Sequence, residues 1–209
     1  MILSETEIIR PDGRGGEERV AQTAGRYLKE GKVLAIPTDT VYGLAAAVDN
    51  EEAKEKIYKI KGRSFSKPLA ILVADPDSVW SRRVRYQAAA DALMKAFWPG
   101  GLTIILEEGE SQKTIAFRQP ALKITLEIIK AAGGAVCATS ANRSGLEALS
   151  TAQRVLKIFN GQIDAVIDAG PAPLGQESTV VKIEQGRAKI LRLGAVSREA
   201  LEDILEVDI

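Results

Sequence analysis

The chain has 209 residues, with 28 Lys and Arg against 28 Asp and Glu, no histidine, and Cys137 as its single cysteine. This length supports one domain with a sizeable core, and the zero formal net charge argues against a general polybasic nucleic-acid binder. The absence of histidine excludes Ser-His-Asp and Cys-His catalysis and histidine-ligated zinc, and one cysteine excludes a disulfide framework or a cysteine-rich metal site.

Helical and extended patterns alternate along the chain. Apolar residues at helical spacing, bounded by Asn, Ser, Gly or Pro, predict helices, and short apolar runs between turn residues predict strands. In chain order the predicted elements are a helix over 17–29, a strand over 32–36, an apolar run over 41–48, a helix over 50–61, a strand over 69–74, a helix over 88–98, strands over 102–106 and 114–117, a helix after Pro120, a strand over 135–138, a helix over 151–159, a strand over 165–167, a hairpin of 178–184 with 187–193, and a helix over 197–205.

This intermixed order, without a linker, repeat or low-complexity segment, predicts one α/β domain over residues 1–209. Its sheet should be twisted and mixed parallel and antiparallel, with helices on its faces. The start of the chain lacks the basic residues and long apolar run of a signal peptide, and no apolar run is long enough to span a bilayer. We therefore expect a cytoplasmic protein with no membrane partner.

The turn over residues 37–44 is the first stretch that indicates a site. It follows the apolar run 32–36 and presents Thr38, Asp39 and Thr40 where a buried strand ends. Polar groups in that position suit ligand binding at a sheet edge. On this stretch alone, a binding site and a plain connection between strands explain the residues equally well.

A basic loop follows the next predicted helix and contains Lys61, Arg63 and Lys67. Cations at a helix C-terminus interact favourably with the helix dipole, and this alone could account for them. The loop nevertheless leads directly into a buried strand, and ligands of open α/β folds bind at such sheet edges. Three converging cations would suit a triphosphate.

Three further groups of polar residues lie downstream. The hydroxyl-rich loop 139–145 follows a buried strand, and small residues there would let backbone N–H groups approach an anion. Arg118 ends an apolar strand and could clamp a carboxylate or simply extend to solvent. A Gly/Pro loop over 170–181 and Arg192 are weaker signals. Walker, dinucleotide and kinase motifs are absent from the sequence.

Taken together, these stretches resemble the YrdC-like family of threonylcarbamoyl-AMP synthases. The matching segments occur in the family's order and are residues 37–44, 61–63 with 67–69, 97–103, 118–120, 139–142 with 144–145, 175–181 and 191–194. The resemblance implies the YrdC-like fold and the stand-alone catalytic domain. It also implies a nucleotidyltransferase that condenses L-threonine, bicarbonate and ATP to threonylcarbamoyl-AMP and releases pyrophosphate.

The same resemblance implies cofactors and partners. Mg²⁺ would be held mainly by the ATP phosphates, without a metal site made of protein side chains. The product would supply the threonylcarbamoyl modification of adenosine 37 in tRNAs that read ANN codons. Downstream threonylcarbamoyl transferase proteins would complete that step, and the enzyme would itself be a candidate for contact with tRNA.

By resemblance, the substrates would contact ten residues of this chain. Those for ATP are Lys61, Arg63, Lys67, Thr114, Ser140 and Arg192. Those for L-threonine are Thr40, Arg118, Ala138 through its backbone, and Ser178. The chain departs from the family pattern with Ser64 in place of a frequent proline, Leu72 in place of a frequent histidine, and Arg143 in the hydroxyl loop. Tyr42 receives no role.

Two related functions compete with this interpretation. A non-catalytic RNA-binding paralogue would tend to lose the Lys-x-Arg and Ser-Ala-Asn segments, which this chain keeps at 61–63 and 140–142. The carbamoyl-transferring version in hydrogenase-maturation proteins is fused to zinc-finger and acylphosphatase segments, and this sequence contains neither.

Overall fold

The computed structural model describes residues 5–82, 84–109 and 113–206. Its helices are α1 (Gly16–Lys29), α2 (Glu51–Lys61), α3 (Ala88–Phe97), α4 (Lys123–Ala131), α5 (Ala152–Phe159) and α6 (Arg198–Leu205). Its strands are β1 (Glu7–Ile9), β2 (Leu34–Ile36), β3 (Gly43–Ala47), β4 (Ala70–Val73), β5 (Leu102–Glu107), β6 (Thr114–Arg118), β7 (Ala135–Ser140), β8 (Ala165–Ile167), β9 (Thr179–Glu184) and β10 (Arg187–Arg192).

All ten strands join one sheet in the order β1-β8-β2-β3-β7-β4-β6-β5-β9-β10. The pairs β1/β8, β2/β8, β4/β6 and β5/β9 are parallel, and β2/β3, β3/β7, β4/β7, β5/β6 and β9/β10 are antiparallel. The predicted α/β fold with a mixed sheet flanked by helices is therefore confirmed.

Side-chain caps fix several helix starts. The Asn50 side chain accepts a hydrogen bond from the Ala53 N–H at 2.8 Å, and Ser197 accepts one from the Ala200 N–H at 3.2 Å. Each cap satisfies a backbone donor that has no partner within the helix. At the other end of α2, Gly62 takes the left-handed conformation with φ of 62°, which glycine adopts at little cost.

The sheet buries apolar residues on both faces because successive strand residues point in opposite directions. In β3, Leu44 and Ala46 pack in a cluster with α2 and α5, whereas Ala45 packs in a second cluster with α1 and α4. A third cluster joins α3 and α6 to β5 and β9. The central strands are thus held rigidly, and they carry most of the cleft described below.

The structure differs from the predicted elements at three places. Strand β1 and a 3₁₀ turn at Pro76–Val79 were not predicted. The strand predicted over 135–138 continues as β7 to Ser140, so the hydroxyl-rich segment begins inside the sheet, with Ser140 opposite Gly43. Among the described residues, no helix is long and apolar enough to cross a membrane.

Candidate active site

A cleft of about 240 Å³ opens over β4, β5, β6, β7 and β9. This volume is below the roughly 300–1,000 Å³ of pockets that enclose drug-sized ligands, so the cleft suits a small molecule or part of a larger one. Seven of the ten predicted site residues line it: Thr40, Arg63, Arg118, Ala138, Ser140, Ser178 and Arg192.

One end of the cleft is organised by the Thr-rich turn before β3. The Thr38 hydroxyl donates to the Val41 carbonyl at 2.6 Å and accepts from the N–H groups of Thr40 and Val41 at 3.2 Å. Its proton is thereby committed to Val41, so Thr38 does not donate in the 2.9 Å contact between the two threonine hydroxyls. The turn is a hydrogen-bonded scaffold that holds Thr40 in one orientation.

Arg118 reaches this turn from the end of β6. Its guanidinium donates to the Gly100 carbonyl at 2.8 Å, to Thr40 Oγ1 at 2.6 Å and to Asp39 Oδ1 at 2.6 Å. Desolvation lowers the pKa of Arg118, and the Asp39 carboxylate opposes that shift. Three of its five N–H donors are thus engaged within the described chain, and two remain for a ligand.

The Thr40 hydroxyl is complementary to these donors. It accepts from Arg118 and receives no proton from Thr38, so one of its oxygen lone pairs remains to accept a hydrogen bond. This pair of side chains therefore offers donors for an anionic group and an acceptor for an ammonium or hydroxyl group.

A second polar group lies at the start of β9. The Ser178 and Thr103 hydroxyls are 2.8 Å apart and buried. Arg192 donates from Nη2 to the Ser178 carbonyl at 2.9 Å and pairs through Nη1 with Glu177 at 2.8 Å. Gly194 permits this arrangement, because a Cβ at that position would lie only 2.2 Å from the Glu177 carbonyl oxygen.

Arg63 lies across the cleft from these groups on the loop before β4. Its Nε donates to the Lys67 carbonyl at 2.8 Å and its Nη2 to the Pro68 carbonyl at 3.1 Å. Desolvation lowers the pKa of Arg63, as does the positive charge of Arg192. Arginine remains protonated in proteins, so the two cations favour a polyanion here, and Glu177, which lines the cleft and pairs with Arg192, offsets part of their charge.

Three of the predicted ATP residues do not line this cleft. Lys67 is exposed on the loop and Thr114 lines a separate depression beside α2. Lys61 is only 2% exposed, and its ammonium donates to the backbone carbonyls of Ser140 and Asn142 and to Asn142 Oδ1. In this structure Lys61 therefore supports the end of β7, where Ser140 lies, and the loop that follows it.

The residues that depart from the family pattern also have defined positions. Leu72 is buried and lines the cleft, so it presents an apolar surface there. Arg143 instead points away, donating to the Ile60 carbonyl and to Gln162 Oε1, and it therefore joins α2 to the segment after α5.

Tyr42 lines the cleft although its side chain belongs to the core. It is fully buried, and its hydroxyl donates to the Gly170 carbonyl at 2.6 Å. Desolvation is the largest cause of a strongly raised pKa. The hydroxyl thus remains protonated and holds the 170–176 loop against the sheet.

The sequence analysis named Asp39 in the Thr-rich turn but gave it no role, and it did not single out two further polar residues of this region, Thr103 and Glu177. Asp39 contacts Arg118, Thr103 contacts Ser178, and Glu177 contacts Arg192. All three lie inside matching segments, and each is next to or paired with a residue that was singled out. One sequence feature could have identified Thr103 as a candidate, because it is a polar residue at the start of an otherwise apolar strand.

Comparison with known protein families provides independent information. The sequence model of the Sua5/YciO/YrdC family, described as "Telomere recombination", matches residues 26–194. A threonylcarbamoyl-AMP synthase from Pyrococcus abyssi is 34% identical over 197 residues, covering 90% of this chain and 58% of the relative. One from Bacillus subtilis is 35% identical over 198 residues, covering 90% and 57%. The chain thus spans less than two thirds of the length of these two relatives.

Solved structures agree with this result. A structure of P. abyssi Sua5 complexed with L-threonine superposes with a TM-score of 0.87 at 33% identity, covering 95% of this chain and 60% of that one. The structure of Escherichia coli YciO superposes with a TM-score of 0.82 at 25% identity, covering 95% and 99%.

Proposed function

This chain belongs to the Sua5/YciO/YrdC family, and on that premise we propose that it forms L-threonylcarbamoyl-AMP from L-threonine, bicarbonate and ATP, with release of pyrophosphate. The observation that carries the proposal is the contact between Thr40 and Arg118 in the cleft. Its two free donors and one free acceptor match the carboxylate and the ammonium or hydroxyl of an amino acid. The curated relatives named above, and the L-threonine held by P. abyssi Sua5, support the same substrate.

In this proposal the protein acts by positioning and charge stabilisation. The threonine amine and bicarbonate give a carbamate and water, a carbamate oxygen attacks the α-phosphorus of ATP, and the bond to pyrophosphate breaks. Alignment of two bound reactants removes much of the entropic barrier. The charges of Arg63 and Arg192 would offset the negative charge of the phosphates. None of these roles requires a histidine, in keeping with the composition.

The residues in each substrate site follow from the geometry and the resemblance. Arg118, Thr40, Ser178 and the Ala138 backbone would hold L-threonine. The nucleotide would be held from within the cleft by Arg63, Arg192 and Ser140. It would be held from outside the cleft by Lys67 and Thr114. Lys61 would act indirectly, through its hydrogen bond to Ser140. Among the described residues, no group of three or more His, Cys, Asp or Glu could hold a metal ion. By the resemblance, Mg²⁺ would be held mainly by the ATP phosphates, where it would neutralise charge on the leaving pyrophosphate.

The cellular role extends this proposal. The product would be consumed in the cytoplasm by threonylcarbamoyl transferase proteins that modify adenosine 37 of tRNAs reading ANN codons. Direct contact between this chain and tRNA belongs to the same proposal. A purely RNA-binding role receives less support, since Arg63, Ser140 and Arg192 are retained in one cleft.

The test is pyrophosphate release by the purified protein supplied with ATP, Mg²⁺, bicarbonate and one amino acid at a time. We expect release with L-threonine and little with L-valine, which has the same shape but lacks the hydroxyl group. Absence of threonine-dependent release would contradict the proposal.

A further inference from the structure

Asp39 lies directly behind Arg118 and is fixed by the main chain. Its Oδ1 accepts from Arg118 Nη2 at 2.6 Å and from the Ala121 N–H at 2.9 Å. Its own backbone carbonyl accepts from the Leu174 N–H at 2.9 Å. Only 9% of the Asp39 side chain and 7% of the Arg118 side chain are exposed, so this is a desolvated ion pair with one rigid partner.

Stability alone does not account for this ion pair. Asp39 Oδ2 is buried and has no hydrogen-bond partner within the described part of the chain. A buried carboxylate oxygen without a partner is costly, and buried ion pairs are often no more stable than well-packed apolar residues. The arrangement therefore indicates a role in the site that the pair adjoins.

That role follows from how Arg118 is oriented. Its Nε is held by the Gly100 carbonyl and its Nη1 by Thr40, while Asp39 holds Nη2 from behind. A planar guanidinium fixed at three nitrogens cannot rotate, so the direction of its two remaining donors is set. Of these three acceptors, Asp39 is the charged one, and hydrogen bonds to charged groups are the strongest.

We propose that Asp39 is a positioning residue that fixes the Arg118 guanidinium, so that its free donors meet the carboxylate of the amino-acid substrate. This inference rests on the proposed function for the identity of that substrate. Asp39 does not itself line the cleft, and its effect would be exerted through Arg118. Loss of the carboxylate should therefore weaken use of the amino acid and leave use of ATP nearly unchanged.

The first experiment compares Asp39→Ala and Asp39→Asn with a matched control, Asp164→Ala. Asp164 likewise holds a backbone N–H, that of Val33, and a cation, Lys56, both at 2.8 Å, and it does not line the cleft. In Asp39→Ala we expect the KM for L-threonine to rise about tenfold or more, the effect of losing one charge-assisted hydrogen bond, with the KM for ATP changing less than about twofold. Asp39→Asn, which keeps the volume, should give a smaller rise in the same direction.

A second measurement does not depend on enzymatic activity. The Arg118 Nε–H group is buried against the Gly100 carbonyl, so its ¹⁵N NMR signal, assigned by its loss in Arg118→Lys, should exchange slowly with solvent. Asp39→Ala should shift that signal and accelerate its exchange about tenfold or more, and Asp164→Ala should leave both unchanged. Asp39→Asn serves in the same comparison if Asp39→Ala does not fold.

The outcomes separate the two proposals. Absence of threonine-dependent activity in the wild-type protein would contradict the proposed function, and the NMR comparison would still test the Asp39–Arg118 contact. An active wild-type protein whose Asp39 variants keep the threonine KM and the Arg118 signal would overturn the positioning role. Equal increases in the KM values for threonine and ATP would also overturn it, because the effect would then not act through Arg118.

Discussion

Lys61 and Asn142 are joined by two hydrogen bonds from one buried ammonium group. Lys61 Nζ donates to the Asn142 backbone oxygen at 2.7 Å and to Oδ1 of the same residue at 2.9 Å, and it also donates to the Ser140 carbonyl. The end of α2 is thus tied to the loop after β7. Because Ser140, the last residue of β7, lines the cleft, this contact helps to fix one wall of the cleft.

Substitution of Lys61 should therefore affect both the fold and the proposed nucleotide site. In Lys61→Met the carbonyls of Ser140 and Asn142 would lose a charged donor, and we expect a loss of about 2 kcal/mol or more in the free energy of unfolding. The KM for ATP should rise because the loop is released. Urea unfolding and steady-state kinetics measure the two effects. Lys59→Met, on an exposed lysine of the same helix, is the control and should change neither.

The buried ammonium also predicts a pH dependence of stability. Desolvation, reinforced by Arg63 and opposed by Glu177, lowers the pKa of Lys61 to about 8, whereas an unfolded lysine titrates near about 10.4. Between these two pH values Lys61 binds more protons in the unfolded chain than in the folded chain. The contribution of Lys61 to the free energy of unfolding therefore rises with pH. We expect the unfolding free energy of the wild type, relative to Lys61→Met, to increase by about 1–3 kcal/mol between about pH 8 and 10.

The same comparison at lower pH provides its control. Below about pH 7 both folded and unfolded states carry the protonated lysine, so the difference between the two proteins should be constant there. If the unfolding free energy of the wild type relative to Lys61→Met instead falls as the pH rises above 8, the folded state favours the charged amine. That result would contradict the effect expected from burial of this group.

Arg63 should matter for turnover more than for stability. It lines the cleft, and the hydrogen bonds described for its side chain are to carbonyls of its own loop. If it holds the ATP phosphates, Arg63→Ala should slow pyrophosphate formation roughly ten- to a hundredfold or more, at about 1.4 kcal/mol per factor of ten. Arg26→Ala, at an exposed side chain of α1, should retain wild-type activity. Full activity in Arg63→Ala would remove that residue from the phosphate site.

The hydroxyl pair of Thr103 and Ser178 should behave as one unit in threonine binding. Thr103→Val and Ser178→Ala each remove one member of the 2.8 Å contact, and each should raise the threonine KM by several-fold, equivalent to about 1 kcal/mol. The double variant should lose less threonine-binding free energy than the sum of the two single losses, because the second substitution removes an already broken contact. Additive losses of this free energy, calculated from the KM values, would show that the two hydroxyls act independently.

Most of the fold could be predicted because its signals are local. The cap residues Asn50 and Ser197 and the apolar periodicity mark the helices, and short apolar runs mark the strands. Strand β1 has three residues and begins with the exposed Glu7, so it lacks the fully apolar run that marks the equally short β8, and it pairs with β8 far along the chain. Such a strand depends on its distant partner for stability, and a local pattern does not contain that information.

The candidate site was predictable in outline but not in its contacts. Lys61 and Arg63 are two residues apart, yet the left-handed turn at Gly62 separates them, and one is buried under a loop while the other lines the cleft. Spacing along the sequence could not distinguish these positions. The role of Arg143 likewise depends on contacts with Ile60 and Gln162, which come together only in the folded chain.

Formation of threonylcarbamoyl-AMP is tested most directly by mass spectrometry of the product formed with ¹³C-labelled bicarbonate. We expect a threonine- and ATP-dependent adenylate that carries one labelled carbon and forms together with pyrophosphate. Arg118→Ala should sharply reduce its yield, since that residue lies where the amino acid would bind. An unlabelled threonyl adenylate, or cleavage of ATP to ADP without a threonine-containing product, would contradict the proposed synthesis of threonylcarbamoyl-AMP.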